Sequence, residues 1–153
     1  MSSLLLCSVV TACAQAAFCK LETEVYPESP FTLEVILATN RATIGQPLRV
    51  EYVLTNIATV PVAACAENLG EYHFIGSSDN RGLIHSSTAA APLSSDIRLL
   101  PGTSLKWTSE VRVPDIGEGN AQFIGVFNSW CEQWSGKVKS APVELTVMRD
   151  AEH

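Results

Sequence analysis

Two histidines stand where a metal ion could be bound. His73 and His85 flank a strong turn sequence at residues 77–82, so they fall on the two arms of a predicted β-hairpin. If this turn centres on Asp79, the two Cβ atoms lie within about 5.5 Å of each other. Two imidazoles at that distance can bind Zn or Cu when a third ligand joins them, and Glu71 could be that ligand. The simpler interpretation is that both histidines are ordinary exposed strand residues, and no cofactor is expected.

Cysteine chemistry is limited to one pair in the part of the chain expected to fold. The chain has five cysteines, and Cys7, Cys13 and Cys19 lie near its beginning. The remaining two, Cys65 and Cys131, should form a disulfide in an oxidising compartment. The loop they would close is long, which corresponds to roughly 4 kcal/mol in the chain-entropy model. The alternative is two separate buried thiols. Neither cysteine belongs to a C-x-x-C motif, so zinc binding and thioredoxin-like chemistry have no support.

Tryptophans cluster around the second of these cysteines. Trp130, Gln133 and Trp134 fall within residues 128–136, a polar stretch predicted to be an exposed loop joining the last two strands. Because tryptophan is costly to leave in water and is enriched in binding hot spots, these three residues form the candidate binding site. We expect Trp134 to be the more exposed tryptophan and Trp130 to contact the disulfide. The alternative is that Trp130 only plugs the disulfide and that the loop binds nothing.

Few residues could support catalysis. The only other histidine is His153, at the end of the sequence. The sequence contains no G-x-S-x-G motif, no H-E-x-x-H motif and no phosphate-binding loop. The residue types of a Ser/His/Asp triad are present, but nothing in their spacing favours one. The sequence therefore predicts a protein that is not an enzyme.

The charge of the chain argues against a nucleic-acid partner. Its formal net charge is -6, which repels phosphate backbones. Lys137 and Lys139 form the densest basic spot in the sequence, and two charges are too few for a nucleic-acid footprint. We therefore expect no binding to nucleic acid.

Residues 1–19 have the form of an export signal. They carry no charge, they hold an apolar run at residues 4–10, and an A-x-A cleavage pattern follows at residues 14–16. The apolar run is too short to span a bilayer as a helix, which takes about 20 apolar residues. A signal peptide is therefore predicted, and a buried N-terminal strand or helix is the alternative.

A second feature of this region concerns lipid attachment. The run Val10-Thr11-Ala12-Cys13 resembles the bacterial lipobox, in which the cysteine is lipidated and becomes the mature N-terminus. A lipid on Cys13 would anchor the chain to a membrane, although stable anchoring takes more than one acyl chain. With or without this anchor, the chain is expected to be exported and to act in the periplasm, at the cell surface or outside the cell.

The elements that must position these residues are strands. Beyond residue 30 the apolar residues repeat with a period of two, and no segment shows helical periodicity. Trp107, on the most regular of these strands, is the expected core tryptophan. Pro142 indicates that the last strand lies at an edge or carries a bulge. Strands are predicted at residues 31–37, 48–55, 60–64, 72–76, 83–85, 105–113, 121–127 and 137–147.

Seven to eight short strands separated by turn residues are typical of an all-β fold. The pattern predicts an immunoglobulin-like antiparallel sandwich of two sheets. The sandwich is expected to span residues 31–148. A signal at residues 1–19 and a tether at residues 20–30 precede it, and a short tail at residues 149–153 follows it.

Three stretches resemble bacterial exported immunoglobulin-like domains. They are Ile44-Gly45-Gln46-Pro47-Leu48-Arg49-Val50, Leu100-Pro101-Gly102-Thr103-Ser104-Leu105 and the closing strand at residues 139–147. The middle of the chain, residues 65–82, more weakly resembles the bacterial intracellular proteinase inhibitor family, which is also an immunoglobulin-like sandwich. The first resemblance implies a non-catalytic binding or structural module that acts on a protein or another envelope component. The second implies an inhibitor that presents a loop to a proteinase.

Overall fold

The chain folds into strands joined by turns. The computed structural model describes residues 28–66, 71–76 and 97–151, and it contains no helix within these ranges. Accordingly, no helix in this part of the chain is long and apolar enough to cross a membrane. The predicted signal peptide, Cys13, most of the tether, and His85 with its strand lie outside the described residues. The strands are β1 (Phe31–Leu37), β2 (Arg41–Thr43), β3 (Pro47–Asn56), β4 (Val62–Ala63), β5 (Glu71–Gly76), β6 (Arg98–Leu99), β7 (Ser104–Arg112), β8 (Gly119–Trp130), β9 (Ser135–Lys139) and β10 (Val143–Met148).

The first sheet is built around β3. This strand pairs antiparallel with β1 on one side and with β7 on the other, and Leu54 lies opposite both Leu33 and Leu105. Alternate residues along β1 are buried and exposed in turn, which is the pattern of a sheet with one face on the core and one in water. The strands predicted here from a period of two in the apolar residues are therefore confirmed.

The second sheet is built around β8. β5 pairs antiparallel with one side of β8, and β9 and β10 follow each other along its other side. The short strand β2 pairs in parallel with the outer edge of β10. With β1, β3 and β7 in one sheet and β5, β8 and the β9–β10 line in the other, the architecture is the predicted immunoglobulin-like sandwich. β4 and β6 form a separate two-stranded sheet.

The sequence predicted one continuous closing strand. In the structure this strand is divided into β9 and β10 by a bulge. Lys139 lies opposite Val126 and Val143 lies opposite Phe123, so the three residues 140–142 face only two residues of β8. One extra residue on one strand defines a β-bulge. Pro142 lies within this bulge. Proline is tolerated there because it has no N–H to donate to a neighbouring strand. The bulge predicted as one of two explanations for this proline is therefore present.

Four further strands differ from the sequence-based expectation. β8 extends to Trp130, three residues beyond the predicted strand, and β2 and β6 were not predicted at all. Two or three residues are too short for a periodic pattern to be visible. The third strand, expected at residues 60–64, is only Val62–Ala63.

Aromatic side chains fill the space between the two sheets. On the second sheet the ring of Phe123 lies 5.1 Å from that of Phe74, edge to face, and 5.3 Å from that of Tyr72, stacked. Gly125, in the middle of β8, lets the first sheet approach closely. A Cβ atom there would lie 2.5 Å from Cγ2 of Val35 and 2.9 Å from a ring carbon of Tyr52. A larger residue at position 125 would therefore force the sheets apart.

Tyr52 is the most deeply buried polar ring of the core. Its ring stacks on that of Trp107 at 5.2 Å with 3° between the planes, and Trp107 is half-buried against the core as expected. The Tyr52 hydroxyl is buried and has no hydrogen-bond partner among the described residues. Burial, followed by the neighbouring Tyr72, raises the pKa of Tyr52 well above its ordinary value. This hydroxyl therefore stays protonated in the folded protein.

The first prediction concerns this hydroxyl. Tyr52→Phe should leave the free energy of unfolding at pH 7 unchanged or raise it by about 1 kcal/mol, because it removes a buried polar group without a partner. In the wild type, stability should fall as the pH rises above about 10, where a tyrosine in the unfolded chain ionises and the folded one does not. Urea unfolding of both proteins between pH 7 and 11 measures this. If the stability of the wild type and of Tyr52→Phe fell equally with rising pH, the assignment of a protonated Tyr52 hydroxyl in the folded protein would be contradicted.

Candidate functional site

One end of the sandwich brings together most of the residues singled out in the sequence. Here β3 and β8 finish while β1, β7 and β9 begin, as the opposed pairs Phe31–Asn56 and Trp130–Ser135 show. The two sheets meet at this end, because the ring of Phe31 lies 5.7 Å from that of Trp134. We call this region the Trp130 end, and it includes the turns at residues 57–61, 100–103 and 131–134.

A buried asparagine organises the first two of these turns. Asn56 is fully buried, and its side-chain amide donates hydrogen bonds to the carbonyl oxygens of Val60 at 2.9 Å and Leu99 at 2.8 Å. Its side-chain oxygen accepts one from the backbone N–H of Ala58 at 2.8 Å. A buried amide with three partners stabilises one arrangement of the surrounding backbone. An asparagine directly after an alternating strand is the one sequence signal that points to this residue.

The third turn is attached to the short strand β4 and to the residues beside it by a side chain and by a disulfide. Gln133 accepts a hydrogen bond from the N–H of Ala63 at 3.1 Å and donates one to the carbonyl of Pro61 at 3.2 Å. The predicted disulfide between Cys65 and Cys131 is present, with the two Cα atoms 5.5 Å apart. Gln133 therefore uses both ends of its amide to hold neighbouring backbone. Its proposed part in binding stays a prediction.

Trp134 is buried, which corrects the expectation that it is the more exposed tryptophan. Only 8% of its surface is accessible, and its ring meets that of Phe31 edge to face at 72°. The indole also lies over Gly136, where a Cβ atom would come within 2.8 Å of Cζ2. A side chain in this position belongs to the core, so Trp134 has no surface to offer as a hot spot.

Trp130 is exposed, and it lies at the end of β8 rather than in a loop. Its accessible fraction is 54%, and it belongs to the face of β8 that points away from the core. Successive residues of a strand point to opposite faces, so Cys131 turns inward and Trp130 points away from the disulfide. The expectation that Trp130 plugs the disulfide is therefore wrong. Ile57 and Leu100, in the other two turns of this end, are also more than half exposed.

The predicted metal pair is only partly within the described residues. His73 lies on β5 opposite Ile124, and its Nδ1 is buried with no hydrogen-bond partner in the described part of the chain. Glu71, the suggested third ligand, forms an ion pair with Nζ of Lys137 at 3.4 Å. In the ranges that the structure describes, no three His, Cys, Asp or Glu side chains come together as a metal site. The pairing of His73 with His85 stays a prediction.

Comparison with known proteins yields matches of fold only. No family model matches the chain, and no curated protein matches its sequence. The structure is similar to that of Pseudomonas fluorescens alkylpurine DNA glycosylase AlkC bound to DNA containing an abasic site analog. That match has a TM-score of 0.50 at 10% identity, and it covers 79% of this chain but only 31% of the glycosylase.

Two smaller proteins give weaker structural matches. The CARDB domain of a Pyrococcus furiosus protein, solved in complex with di-metal ions, matches with a TM-score of 0.45 at 12% identity, covering 78% of this chain and 94% of the domain. The sporulation control protein of Bacillus subtilis matches with a TM-score of 0.46 at 8% identity, covering 82% of this chain and 51% of the other. These two matches carry no activity or ligand over to this chain.

Proposed function

We propose that the chain is a non-catalytic binding module of the cell envelope or exterior, and that it binds a protein or another envelope component at the Trp130 end. The observation that carries the proposal is the exposure of Trp130 on a strand whose neighbouring turn is fixed. An exposed tryptophan loses ordered water and buries a large area when a partner covers it. Residues of this type dominate the binding free energy of many protein interfaces.

The rigidity of this end supports the proposal. The turn that follows Trp130 is held by the disulfide, by both ends of the Gln133 amide and by the buried ring of Trp134. A surface that is already ordered loses little conformational entropy when it binds. Ile57 and Leu100 add exposed apolar area at the same end of the sandwich.

The disulfide and the sequence of the first nineteen residues support an exported location. Disulfides form and persist in oxidising environments, and an apolar run with an A-x-A pattern is typical of an exported chain. Mass spectrometry of chain recovered outside the cytoplasm should show cleavage near Ala12 or Ala16. Recovery there of chain that still carries Met1 would argue against a cleaved signal peptide.

The inhibitor alternative has less support at this end. A proteinase inhibitor presents side chains of an exposed loop to an enzyme cleft. Here Trp134 and Cys131 turn into the core and Gln133 binds backbone, so the turn at residues 131–134 holds the fold together. A panel of proteinases assayed with the purified chain separates the two functions, because a binding module leaves their rates unchanged.

The second prediction tests Trp130 directly. Trp130→Ala should weaken capture of the partner from an envelope fraction by about 30-fold or more, the loss expected when a hot-spot side chain worth about 2 kcal/mol is removed. Ile36→Ala is the matched control, because Ile36 is 47% exposed on the outer face of the other sheet. Quantitative mass spectrometry of the captured proteins measures the effect. Equal capture by the two variants would show that the Trp130 end is not the binding site.

A further inference from the structure

The exposed surface of the Trp130 end is apolar and nearly uncharged. Three large apolar side chains, each in a different part of this end, are more than half exposed: 59% for Ile57, 58% for Leu100 and 54% for Trp130. Among the residues of the three turns, Glu132 alone is charged. Since apolar surface is costly to leave in water, its concentration at one end of the sandwich indicates a contact surface.

The opposite end of the sandwich has the reverse character. There the guanidinium group of Arg149 donates to both carboxylate oxygens of Asp115, at 3.1 and 3.2 Å, and the backbone N–H of the same arginine donates to Glu118 at 2.9 Å. Nε of Arg112, at the end of β7, donates to the carbonyl of Gly45 at 3.0 Å. That end therefore pairs charged side chains, whereas the three most exposed large apolar side chains of the described residues lie at the Trp130 end.

The polar side chains of the Trp130 end bind the protein's own backbone. The hydroxyl of Thr103 donates to the carbonyl of Leu100 at 2.8 Å, and the hydroxyl of Ser135 donates to a carbonyl of β8 at 3.3 Å. Asn56 and Gln133 use their side-chain amides in the same way. Protein interfaces typically carry about one hydrogen bond per 100–200 Å². Here these groups already have partners within the fold, which favours a partner that needs no hydrogen bonds.

The backbone of the two turns that carry Ile57 and Leu100 is also mostly bonded. Two of their positions, 61 and 101, are prolines and have no N–H. The N–H groups that form hydrogen bonds within the fold are those of Ile57, Ala58, Gly102 and Thr103. A backbone N–H without a partner is strongly unfavourable next to lipid, so turns of this kind are suited to an apolar surrounding.

We propose that the Trp130 end docks on a lipid bilayer, with the side chains of Trp130, Ile57 and Leu100 inserted among the headgroups and the upper acyl chains. The inference rests on the proposed function, for which it names the envelope component. Tryptophan is enriched at this depth of membranes because its ring is apolar and its N–H is polar. Side chains on separate turns enter a fluid surface together, whereas a folded protein partner would need a matching pocket for each of them.

The point at which the chain enters the sandwich agrees with this orientation. The carbonyl of Pro30, just before β1, accepts a hydrogen bond from the N–H of Ile57 at 2.8 Å. Residues 1–27, which include the predicted lipid attachment at Cys13, therefore join the sandwich at the end proposed to face the membrane. A single acyl chain anchors a protein only marginally, and stable anchoring takes a second contact. The Trp130 end would supply that contact.

The charges of the chain predict which lipids it should bind. The formal net charge is -6, and Glu132 follows Trp130 by two residues, so anionic lipid should repel this end rather than attract it. Insertion of apolar side chains needs no anionic lipid, and salt, which screens charges, does not weaken it. We therefore expect docking on vesicles of phosphatidylcholine alone.

The test uses the fluorescence of Trp130 in the full chain. Of the three tryptophans in the sequence, Trp107 is half-buried and Trp134 is buried, so Trp130 is the one most accessible to iodide in water. Phosphatidylcholine vesicles should shift its emission to shorter wavelength and protect it from iodide, and lipids with a doxyl group near the headgroup should quench it. Because residues 1–27 contain no tryptophan, attachment of that segment to a vesicle does not by itself produce these changes.

Two variants identify the source of the signal, and a third is the control. Trp130→Phe keeps an apolar ring but should lose the shift. Ile57→Ser/Leu100→Ser keeps Trp130 but should lose most of the shift and of the protection from iodide. Ile36→Ser should keep both, because Ile36 is 47% exposed on the outer face of the other sheet. Circular dichroism checks that the variants are folded, as expected for substitutions on the surface.

Any of three results would refute docking on lipid. One is equal access of iodide to Trp130 with and without vesicles. Another is a full shift of the emission in Ile57→Ser/Leu100→Ser. The third is a shift that appears only when about 30% phosphatidylglycerol is added and disappears in high salt, since this would indicate electrostatic adsorption through another surface.

These outcomes are separate from those of the protein-capture experiment, because the vesicles contain no protein. If Trp130→Ala lost its captured protein while Trp130 stayed accessible to iodide on vesicles, the binding site would stand and its partner would be a protein. If protein capture by Trp130→Ala and Ile36→Ala were equal while Trp130 inserted into vesicles, the ligand of this end would be lipid in place of a protein.

Discussion

Trp134→Ala is expected to lower the free energy of unfolding by about 3–5 kcal/mol, the usual cost of removing a large aromatic side chain from a core. The indole is 8% exposed, packs against the ring of Phe31 at 5.7 Å and covers Gly136. Removing it leaves a cavity that the neighbouring turn is poorly placed to fill, because the disulfide and Gln133 fix that turn on β4. Urea unfolding monitored by far-ultraviolet circular dichroism measures the loss.

Trp130→Ala is the matched variant for this experiment. It removes the same side chain four residues earlier, but from a position that is 54% exposed. A surface substitution of this kind usually changes stability by no more than about 0.5 kcal/mol. If the two variants lost equal stability, Trp130 would be part of the core and the assignment of faces on β8 would be wrong.

The exposures of Trp130 and Trp134 are the opposite of those predicted from the sequence. Phe123 and Phe127 point inward on β8, and the same alternation carried forward places Ser129 and Cys131 inward and Trp130 outward. The burial of Val138 on β9, read backward, likewise places Trp134 inward. The alternating pattern therefore predicts the observed orientation of both tryptophans. It was missed because residues 128–136 were interpreted as one exposed loop, although β8 and β9 occupy most of that range.

Other features were predictable for clear physical reasons. Phe31–Leu37 was predicted with its observed bounds, because its alternation is regular and turn residues flank it. The disulfide was predicted because only two cysteines lay in the part expected to fold. Pro142 indicated an edge or a bulge because it has no N–H to donate, and the structure has the bulge.

The remaining features depend on contacts between residues distant in sequence. The role of Asn56 rests on its bond to the carbonyl of Leu99, which lies 43 residues away. The need for glycine at position 125 rests on Val35 and Tyr52 in the opposite sheet. Neither contact leaves a local pattern, so the sequence does not predict the distant partner of either residue. The binding role of residues 130–134 stays a prediction, whereas the exposure predicted for the two tryptophans was wrong.

Removal of the disulfide is expected to have the second large effect. Cys65 and Cys131 are 66 residues apart and both are buried, so the bond restricts a long loop in the unfolded chain. The chain-entropy model gives about 4 kcal/mol for a loop of this length, and removal of native disulfides typically costs about 2–5 kcal/mol. Cys65→Ala/Cys131→Ala should lose that much stability. The double variant is preferred because a single substitution would leave an unpaired buried thiol.

The loss of stability should also be localised to one part of the structure. The disulfide and Gln133 are parallel connections between β4 and the turn after β8, so the hydrogen bond from the N–H of Ala63 to Gln133 should open more often when the disulfide is absent. Amide exchange at Ala63 should then accelerate by more than exchange at the buried amides of β3, which pairs on both sides. Non-reducing peptide mapping checks that the bond forms in the wild type. Free thiols at both positions in oxidised, folded protein would contradict the prediction. So would a double variant as stable as the wild type.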